Sequence, residues 1–172
     1  MNKLRLALTA LTFLVAFAEA QAQLSIPATR LQFNLNADSW RYVRTLDIDD
    51  HSTIYLYCYT GEILTDADGD TTLPVLRIYV DSQDYDDLLD FVYQRYEVQP
   101  YQTLEEAPLR SIKQENINHI GIYTSPTSKK DFQFMATYIK DRKTYIEFRL
   151  ETSADTFEEM ETIFQNITNS IK

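Results

Sequence analysis

The sequence has little glycine and histidine. It contains three glycines and two histidines in 172 residues. Gly69 and Gly121 are isolated, so no glycine-rich loop is available to hold a phosphate group, and the G-x-G-x-x-G, P-loop and G-x-S-x-G motifs are absent. His51 and His119 show neither the H-x-H nor the H-E-x-x-H spacing of common zinc and iron sites. The sequence therefore offers no motif of a nucleotide-binding enzyme, a serine hydrolase or a common metalloenzyme.

Cysteine is also scarce. Cys58 is the only one, so the chain has no internal disulfide. It alternates in phase with Ile54 and Leu56, which predicts a small side chain packed in a core. A reactive thiol needs a positively charged neighbourhood, and none stands near Cys58 in the sequence. We therefore interpret Cys58 as a packing residue.

The first twenty residues are basic, then apolar, then small. Lys3 and Arg5 precede an apolar run, and Ala18-Glu19-Ala20 offers a small-x-small cleavage signal. This order predicts a secretory signal peptide over residues 1–20. No later stretch is apolar enough to span a bilayer. We expect an exported, soluble protein, periplasmic or extracellular, with a single domain over residues 21–172.

Acidic residues outnumber basic ones. There are 26 Asp and Glu against 16 Lys and Arg, and the formal net charge is −10. Such a surface repels the phosphates of nucleic acids and anionic lipid head groups, and it favours cationic partners. We expect neither nucleic-acid binding nor membrane insertion, and we predict no cofactor. Composition does not specify the oligomeric state.

Hydrophobic periodicity predicts strands and two helices. Alternating residues indicate strands over residues 31–35, 41–48, 53–60, 73–80, 119–125, 132–139 and 145–150. Spacings of three and four predict helices near Asp84–Tyr96 and from Thr156 to the end of the chain. Thr156 followed by Glu159 fits a capping box. Residues 101–118 fit neither period, apart from a short helical turn predicted at Ser111–Asn116.

This order of elements predicts an α+β fold. Strands joined by short links are antiparallel, and two amphipathic helices can cover the faces of one sheet. The sequence therefore favours an antiparallel sheet sandwiched between helices, in α/β/α layers.

The same pattern resembles a known family. Trp40 just after the first strand, a helix after Leu76-Arg-Ile-Tyr-Val80, and a closing strand pair with the helix Phe157–Lys172 resemble the PsbP-like proteins. That group includes the photosystem II extrinsic subunit, Mog-type Ran binders and exported bacterial proteins. The resemblance implies an antiparallel sheet between helices and a non-catalytic accessory or binding role. No functional residue of the family matches a position here.

The most suggestive surface is a row of tyrosines. Tyr55, Tyr57 and Tyr59 share one face of a predicted strand and could stack against a sugar or a partner protein. The alternative, which we favour, is that they pack under the predicted helix Asp84–Tyr96 with their hydroxyls at its rim.

A second candidate is the acidic loop Asp66-x-Asp68-x-Asp70, because clustered carboxylates suit calcium. The EF-hand pattern then fails, since Thr71 and Arg77 stand where it needs Gly and Glu. We favour a polar turn over a metal site.

These observations lead to three functional hypotheses. The first and preferred one is an exported accessory or binding module without catalytic activity that engages an envelope protein. The second is a small-ligand or glycan binder that uses the tyrosine face and a cleft beside a helix. The third is a hydrolase built on His51 or His119 with a nearby Asp, which we consider the weakest.

Overall fold

The computed structural model describes residues 21–98, 101–106 and 112–172. The predicted signal peptide lies outside the described residues, and so does the start of the helical turn predicted at Ser111–Asn116. Within the described part, the strands are β1 Gln21–Ser25, β2 Gln32–Asn36, β3 Trp40–Asp47, β4 Ser52–Tyr59, β5 Leu64–Thr65, β6 Thr71–Thr72, β7 Val75–Asp81, β8 Gln102–Glu106, β9 Asn116–Thr124, β10 Asp131–Asp141 and β11 Thr144–Ser153. The helices are α1 Leu88–Val98 and α2 Phe157–Asn169.

Seven strands form the main sheet, in the order β3-β4-β7-β11-β10-β9-β8. Every neighbouring pair is antiparallel. β1 and β2 form a separate hairpin, and β5 and β6 form a two-residue ladder around the Asp66–Asp70 loop. The fold is therefore α+β, a mostly antiparallel sheet with two helices, as the sequence predicts.

The closing helix α2 presents one apolar stripe. Phe157, Met160, Phe164 and Ile167 are spaced by three or four residues and are buried. They belong to a cluster that includes Phe33, Leu35, Leu76, Ile78, Ile146, Phe148 and Leu150. Burying each such side chain contributes about 1.5–3 kcal/mol before the entropy cost of ordering it.

The capping box predicted for this helix is wrong. A 3₁₀ turn, Ala154–Thr156, precedes α2, and Thr156 makes no side-chain bond to the helix amides. Its Oγ1 lies 2.9 Å from Oγ1 of Thr152 and donates to the carbonyl of Ser153 at 3.3 Å. The hydroxyl of Thr156 therefore forms its hydrogen bonds within the buried turn and not, as the capping box predicts, with the helix amides.

The other helix, α1, packs against a second cluster. Leu88, Phe91 and Val92 are buried. The cluster also contains Tyr79, Phe134, Ala136, Tyr138 and Tyr145. The α1 and α2 clusters draw on alternating residues of the shared strands, so the two helices pack against different sets of sheet residues.

α1 begins at Leu88, four residues later than predicted. Tyr85 donates its hydroxyl to Asp81 at 2.7 Å, and its ring lies edge-on to Tyr145 with centroids 4.8 Å apart. These contacts fix the chain before the helix. Asp87 then accepts the amide of Asp90 at 2.9 Å, which makes it the capping residue.

The sequence analysis did not predict β1 and β8. Both are five-residue strands, and β8 lies at the edge of the main sheet. In β1 the residues alternate between exposed and half-buried only. No residue of β1 is fully buried, so β1 lacks the alternating core-facing apolar residues that give the strongest sequence signal for a strand.

Candidate functional site

The three tyrosines lie on the face that packs against the α2 cluster. Tyr59 is 9% exposed, and Tyr55 and Tyr57 are half-buried against that cluster. Tyr57 lies edge-on to Phe33 of the β1–β2 hairpin, with centroids 6.3 Å apart. The sequence predicts that the tyrosines pack under the first helix. This prediction is wrong, because they pack against the cluster under α2 instead. The β1–β2 hairpin covers part of the sheet face that carries the tyrosines. Tyr42 of β3 lies next to Tyr57 on this face, with ring centroids 5.6 Å apart.

Beside Tyr59 a cleft of about 550 Å³ opens between the hairpin, β3 and α2. Its apolar wall includes Trp40 and Tyr59, whose rings lie edge-on with centroids 5.4 Å apart, and Ile163 of α2. The polar wall is rich in amides and consists mainly of Gln21, Asn34, Asn36, Asn166 and Asn169. An apolar wall with several neutral donors and acceptors is the usual composition of a small-molecule site. Of the three predicted residues, only Tyr59 lines this cleft.

The acidic loop closes around a lysine. Nζ of Lys130 lies 2.5 Å from Asp66, 3.4 Å from Asp68 and 2.6 Å from Asp70. The hydrogen bond from Lys130 keeps the pKa of Asp66 below its ordinary value. Amides of Asp68 and Asp70 also donate to Asp66 Oδ1, which shapes the turn. The ammonium supplies the positive charge at the place where the sequence suggested a metal ion. Among the described residues, no group of three or more His, Cys, Asp or Glu side chains is arranged to hold one.

A buried row of charged side chains lies on β11, and the sequence patterns do not predict it. All ten residues of β11 are buried, including Glu147, Arg149 and Glu151. Arg149 lies 2.9 Å from Glu151 and 3.8 Å from Glu147. Arg77 pairs with Glu151 at 3.2 Å, and Arg95 of α1 pairs with Glu147 at 2.8 Å. In the sequence, the sign of this row is a charged residue at every second position of β11. The neighbouring strand β7 is mostly apolar and carries Arg77 opposite Arg149.

Aromatic rings surround the middle of the row. The guanidinium of Arg149 stacks 3.7 Å from the ring centre of Phe134, and the rings of Tyr123 and Tyr101 lie 5.3 and 5.6 Å away. Tyr123 donates its hydroxyl to Glu151 at 3.1 Å. Burial raises the pKa of Tyr123 to about 12, so this hydroxyl keeps its proton. The rings replace water around the cation without competing for the carboxylates.

Opposite charges keep Glu147 ionised. Burial by itself raises the pKa of Glu147, but the guanidinium groups of Arg95, Arg149 and Arg77 outweigh it and hold the pKa below its ordinary value. Glu147, Arg149 and Glu151 are thus paired with one another inside the fold. The row is therefore a structural network rather than a set of groups ready to react.

A second cavity, of about 530 Å³, lies beside the start of α1. Asp81 is fully buried in its wall and accepts hydrogen bonds from the hydroxyls of Tyr79 and Tyr85 at 2.8 and 2.7 Å. Asp90 adds a second carboxylate, while Arg95 in the same wall pairs with Glu147 and lies 3.9 Å from the ring centre of Tyr79. The cavity therefore combines negative charge with tyrosine rings.

The two histidines are far apart. His51 is exposed in the loop between β3 and β4, and its backbone amide, rather than its ring, contacts Asp49 at 2.8 Å. His119 is buried on β9 and hydrogen-bonds to the hydroxyl of Tyr96. Three strands separate β4 from β9, so about 19 Å lies between them at the usual strand spacing. The hydrolase hypothesis therefore cannot use the two histidines together.

Known structures with a similar fold exist, although no sequence match was found. No model of a known protein family matches the chain, and no curated protein matches it in sequence. One similar structure is the protein of unknown function PA94 from Pseudomonas aeruginosa, with a TM-score of 0.54, 10% identity, and coverage of 87% of this chain and 94% of PA94. Another is LpqN of Mycobacterium tuberculosis, which is involved in cell envelope biogenesis. It has a TM-score of 0.52, 12% identity, and coverage of 88% of this chain and 89% of LpqN.

Both similar structures share their fold with most of this chain. At these identities the likeness concerns the fold alone. Within the part of the chain that the structure describes, no helix is long and apolar enough to cross a membrane. The chain therefore shares its α+β fold with these two structures, and its membership of the PsbP-like family stays a prediction.

Proposed function

We propose that this protein is an exported accessory module that binds a protein of the cell envelope and carries out no catalysis. The observation that carries the proposal is the cavity beside α1, where two carboxylates and two tyrosine rings line one opening. Carboxylates and aromatic faces together recognise the ammonium or guanidinium group of a basic side chain. The net charge of −10 attracts such a partner over a longer range.

The surface next to this cavity supports a protein partner. Leu89 and Tyr93 lie one turn apart on α1 and are 45% and 60% exposed. Asp90, between them in sequence, lines the cavity. An apolar patch beside a charged pocket is typical of a docking surface, in which buried aromatic residues supply most of the affinity. We therefore assign α1 and the neighbouring cavity to the partner.

The proposal includes membership of the PsbP-like family, with the sheet layered between α1 and α2. Supporting this are the shared fold, the two separate clusters under the helices and the sequence pattern. The envelope role of LpqN and the predicted signal peptide support the location.

The test is capture from an envelope extract with immobilised protein. We expect wild type to retain a partner and the double variant Asp90→Lys, Tyr93→Ala to lose it by at least about tenfold, since one buried charge contact is worth more than 1.4 kcal/mol. Glu158→Lys, at an exposed position of α2, is the matched control and should bind normally. Equal capture by wild type and the double variant would contradict the assignment.

A second candidate function is binding of a small neutral ligand such as a glycan. It is favoured by the amide-rich cleft beside Trp40 and Tyr59. In a thermal-shift screen of sugars, a ligand at a hundred times its Kd should add about 2.7 kcal/mol and raise Tm by about 5–10 °C. Asn166→Ala should abolish the shift, whereas Gln165→Ala, at an exposed neighbouring position, should not. No shift with any sugar would remove this candidate.

A further inference from the structure

The strand β3 forms an open edge of the main sheet. Among the described residues, only β4 pairs with it. Its residues from Arg41 to Thr45 are all exposed, so neither face of this part of the strand is covered. The register with β4 shifts between Tyr42 and Arg44, which marks a bulge. An uncovered edge strand offers unpaired backbone groups to another strand.

This edge also carries apolar surface. Tyr42 and Val43 are 56% and 46% exposed, and Ile48, the next residue after the strand, is 54% exposed. They make up three of the seven large apolar residues that are exposed in the described part of the chain. Exposed apolar residues gathered along one edge indicate an interaction surface.

Charge is distributed unevenly along the same edge. Arg41 and Arg44 stand in its first half, whereas Asp47, Asp49 and Asp50 stand at its far end. Within the described residues, neither arginine forms an ion pair, although the protein as a whole is strongly acidic. When such a strand lies antiparallel to a second copy of itself, the basic half of each faces the acidic end of the other.

We infer that β3 is the interface of a homodimer, in which the β3 strands of two copies pair antiparallel and join the two sheets. The pairing covers Tyr42, Val43 and Ile48 and gives Arg41 and Arg44 the acidic partners that the described part of their own chain does not supply. A two-fold interface of this kind uses the same patch on both copies, which requires a self-complementary surface. The edge strand has that property in its charges.

The dimer is separate from the proposed partner site. α1 contacts β9 and β10, and the β7 residues that line the cavity, Tyr79 and Asp81, are separated from β3 by β4. Loss of the dimer should therefore leave capture of an envelope partner unchanged, and loss of capture should leave the dimer unchanged.

Sedimentation of charge-reversed variants tests the inference. Variant A carries Arg41→Glu and Arg44→Glu, which makes its edge wholly acidic. Variant B carries Asp47→Lys and Asp50→Lys, which makes its edge mainly basic and leaves Asp49 in the β3–β4 loop unchanged. Wild type should dimerise in the micromolar range, each variant alone should raise the dimer Kd by at least about tenfold, and an equimolar mixture of A and B should form the heterodimer.

Hydrogen exchange gives a second readout. In wild type, the amides of β3 should become more protected as the protein concentration rises, while those of α1 should not. A wild type that stays monomeric at every concentration would overturn the inference and leave the charges and the bulge as protection of a lone edge. Two further results would overturn it: a dimer Kd in variants A and B that equals the Kd of wild type, or an equimolar mixture of A and B that does not associate. Circular dichroism of A and B distinguishes lost pairing from lost folding.

Discussion

Charged side chains in this protein hold the interior together. Arg149 is 1% exposed, yet it lies between two glutamates and over the ring of Phe134. On the surface, Lys130 has the corresponding role for the acidic loop. In both places several opposite charges share one centre. The removal of a central cation should therefore cost more than the removal of any one of its partners.

Arg149→Met should lower the free energy of unfolding by about 3–5 kcal/mol, because it leaves Glu151 and Glu147 buried with one cation fewer. Urea unfolding measures the change. Arg77→Met is the control, since the side chain of Arg77 is more exposed than that of Arg149 and lies 3.2 Å from Glu151. A loss smaller for Arg149→Met than for Arg77→Met would contradict the central role of Arg149.

Stability should fall on the acid side. Hydrogen bonds from Arg30 and Lys130 lower the pKa values of Asp141 and Asp66, and the arginines of the buried row lower that of Glu147 despite its burial. In the unfolded chain these groups titrate near about pH 4. As the pH falls through that value, the unfolded state binds protons first, so the free energy of unfolding decreases until the lower native pKa values are passed.

Urea unfolding at several pH values between about 7 and 3 measures this decrease. Asp141→Asn removes one of the titrating groups and should make the curve shallower, whereas Gln165→Ala, an exposed control that carries no titrating group, should leave its slope unchanged. A curve that stays flat down to about pH 3 would show that these carboxylates do not have lowered pKa values.

At this scale the sequence is informative about apolar residues and much less about charged ones. Phe157, Met160 and Phe164 are buried as their spacing predicts. Alternation alone predicts an exposed face for Glu147 and Arg149, because a charge in a strand is usually solvated. Their burial depends on α1 and the opposing strands, which are distant in sequence. The same holds for Lys130, which lies sixty residues from the loop it closes.

At the scale of elements, the strands and helices with the strongest periodicity are also the ones the structure contains. β4, β7, β10, β11 and both helices are present close to their predicted ranges. The hairpin of β10 and β11 is tighter than predicted, with only Arg142 and Lys143 between the strands. Arg142 has a φ of 62°, which a two-residue turn of this kind requires.

Close packing between β9 and β10 depends on a glycine. A Cβ at Gly121 would lie 2.3 Å from Cζ of Phe134 and 3.0 Å from the carbonyl of Gln102. We expect Gly121→Ala to lower the free energy of unfolding by about 1–3 kcal/mol, because the ring must move from its place over Arg149.

A double-mutant cycle isolates the cause. In a Phe134→Leu background, Gly121→Ala should cost clearly less, since the ring that it meets is gone. Gly69→Ala serves as comparison: it meets no neighbour, but its φ of 86° costs about 1 kcal/mol in the turn. A cost for Gly121→Ala that does not change with residue 134 would contradict the contact.

At the scale of the whole molecule, the predicted fold class agrees with the structure, while its edges and sites were harder to predict. The order of elements gave an antiparallel sheet with two helices, and the two similar structures share that fold. The cleft beside Trp40 combines residues from β1, β2, β3 and α2, and the cavity beside α1 combines residues from β7 and α1. No local pattern brings such distant segments together, so neither site could be predicted from the sequence.

Export makes a prediction for the mature chain. The sequence favours cleavage before Gln21 or Gln23. β1 begins at Gln21, which pairs with Asn36, so cleavage before Gln21 keeps the whole strand. Intact mass measurement of protein secreted by a bacterial host should give a chain that begins at Gln21. Full-length protein that is recovered only from the cytoplasm would contradict the predicted export.

The last residue of the chain is fixed in place. Lys172 exchanges two main-chain hydrogen bonds with Gln32, and it stands at the rim of the amide-rich cleft. Anything fused to the carboxyl end therefore projects over that opening and can obstruct it. A fluorescent label for ligand assays is better attached to the side chain of residue 143, which faces the solvent in the β10–β11 turn.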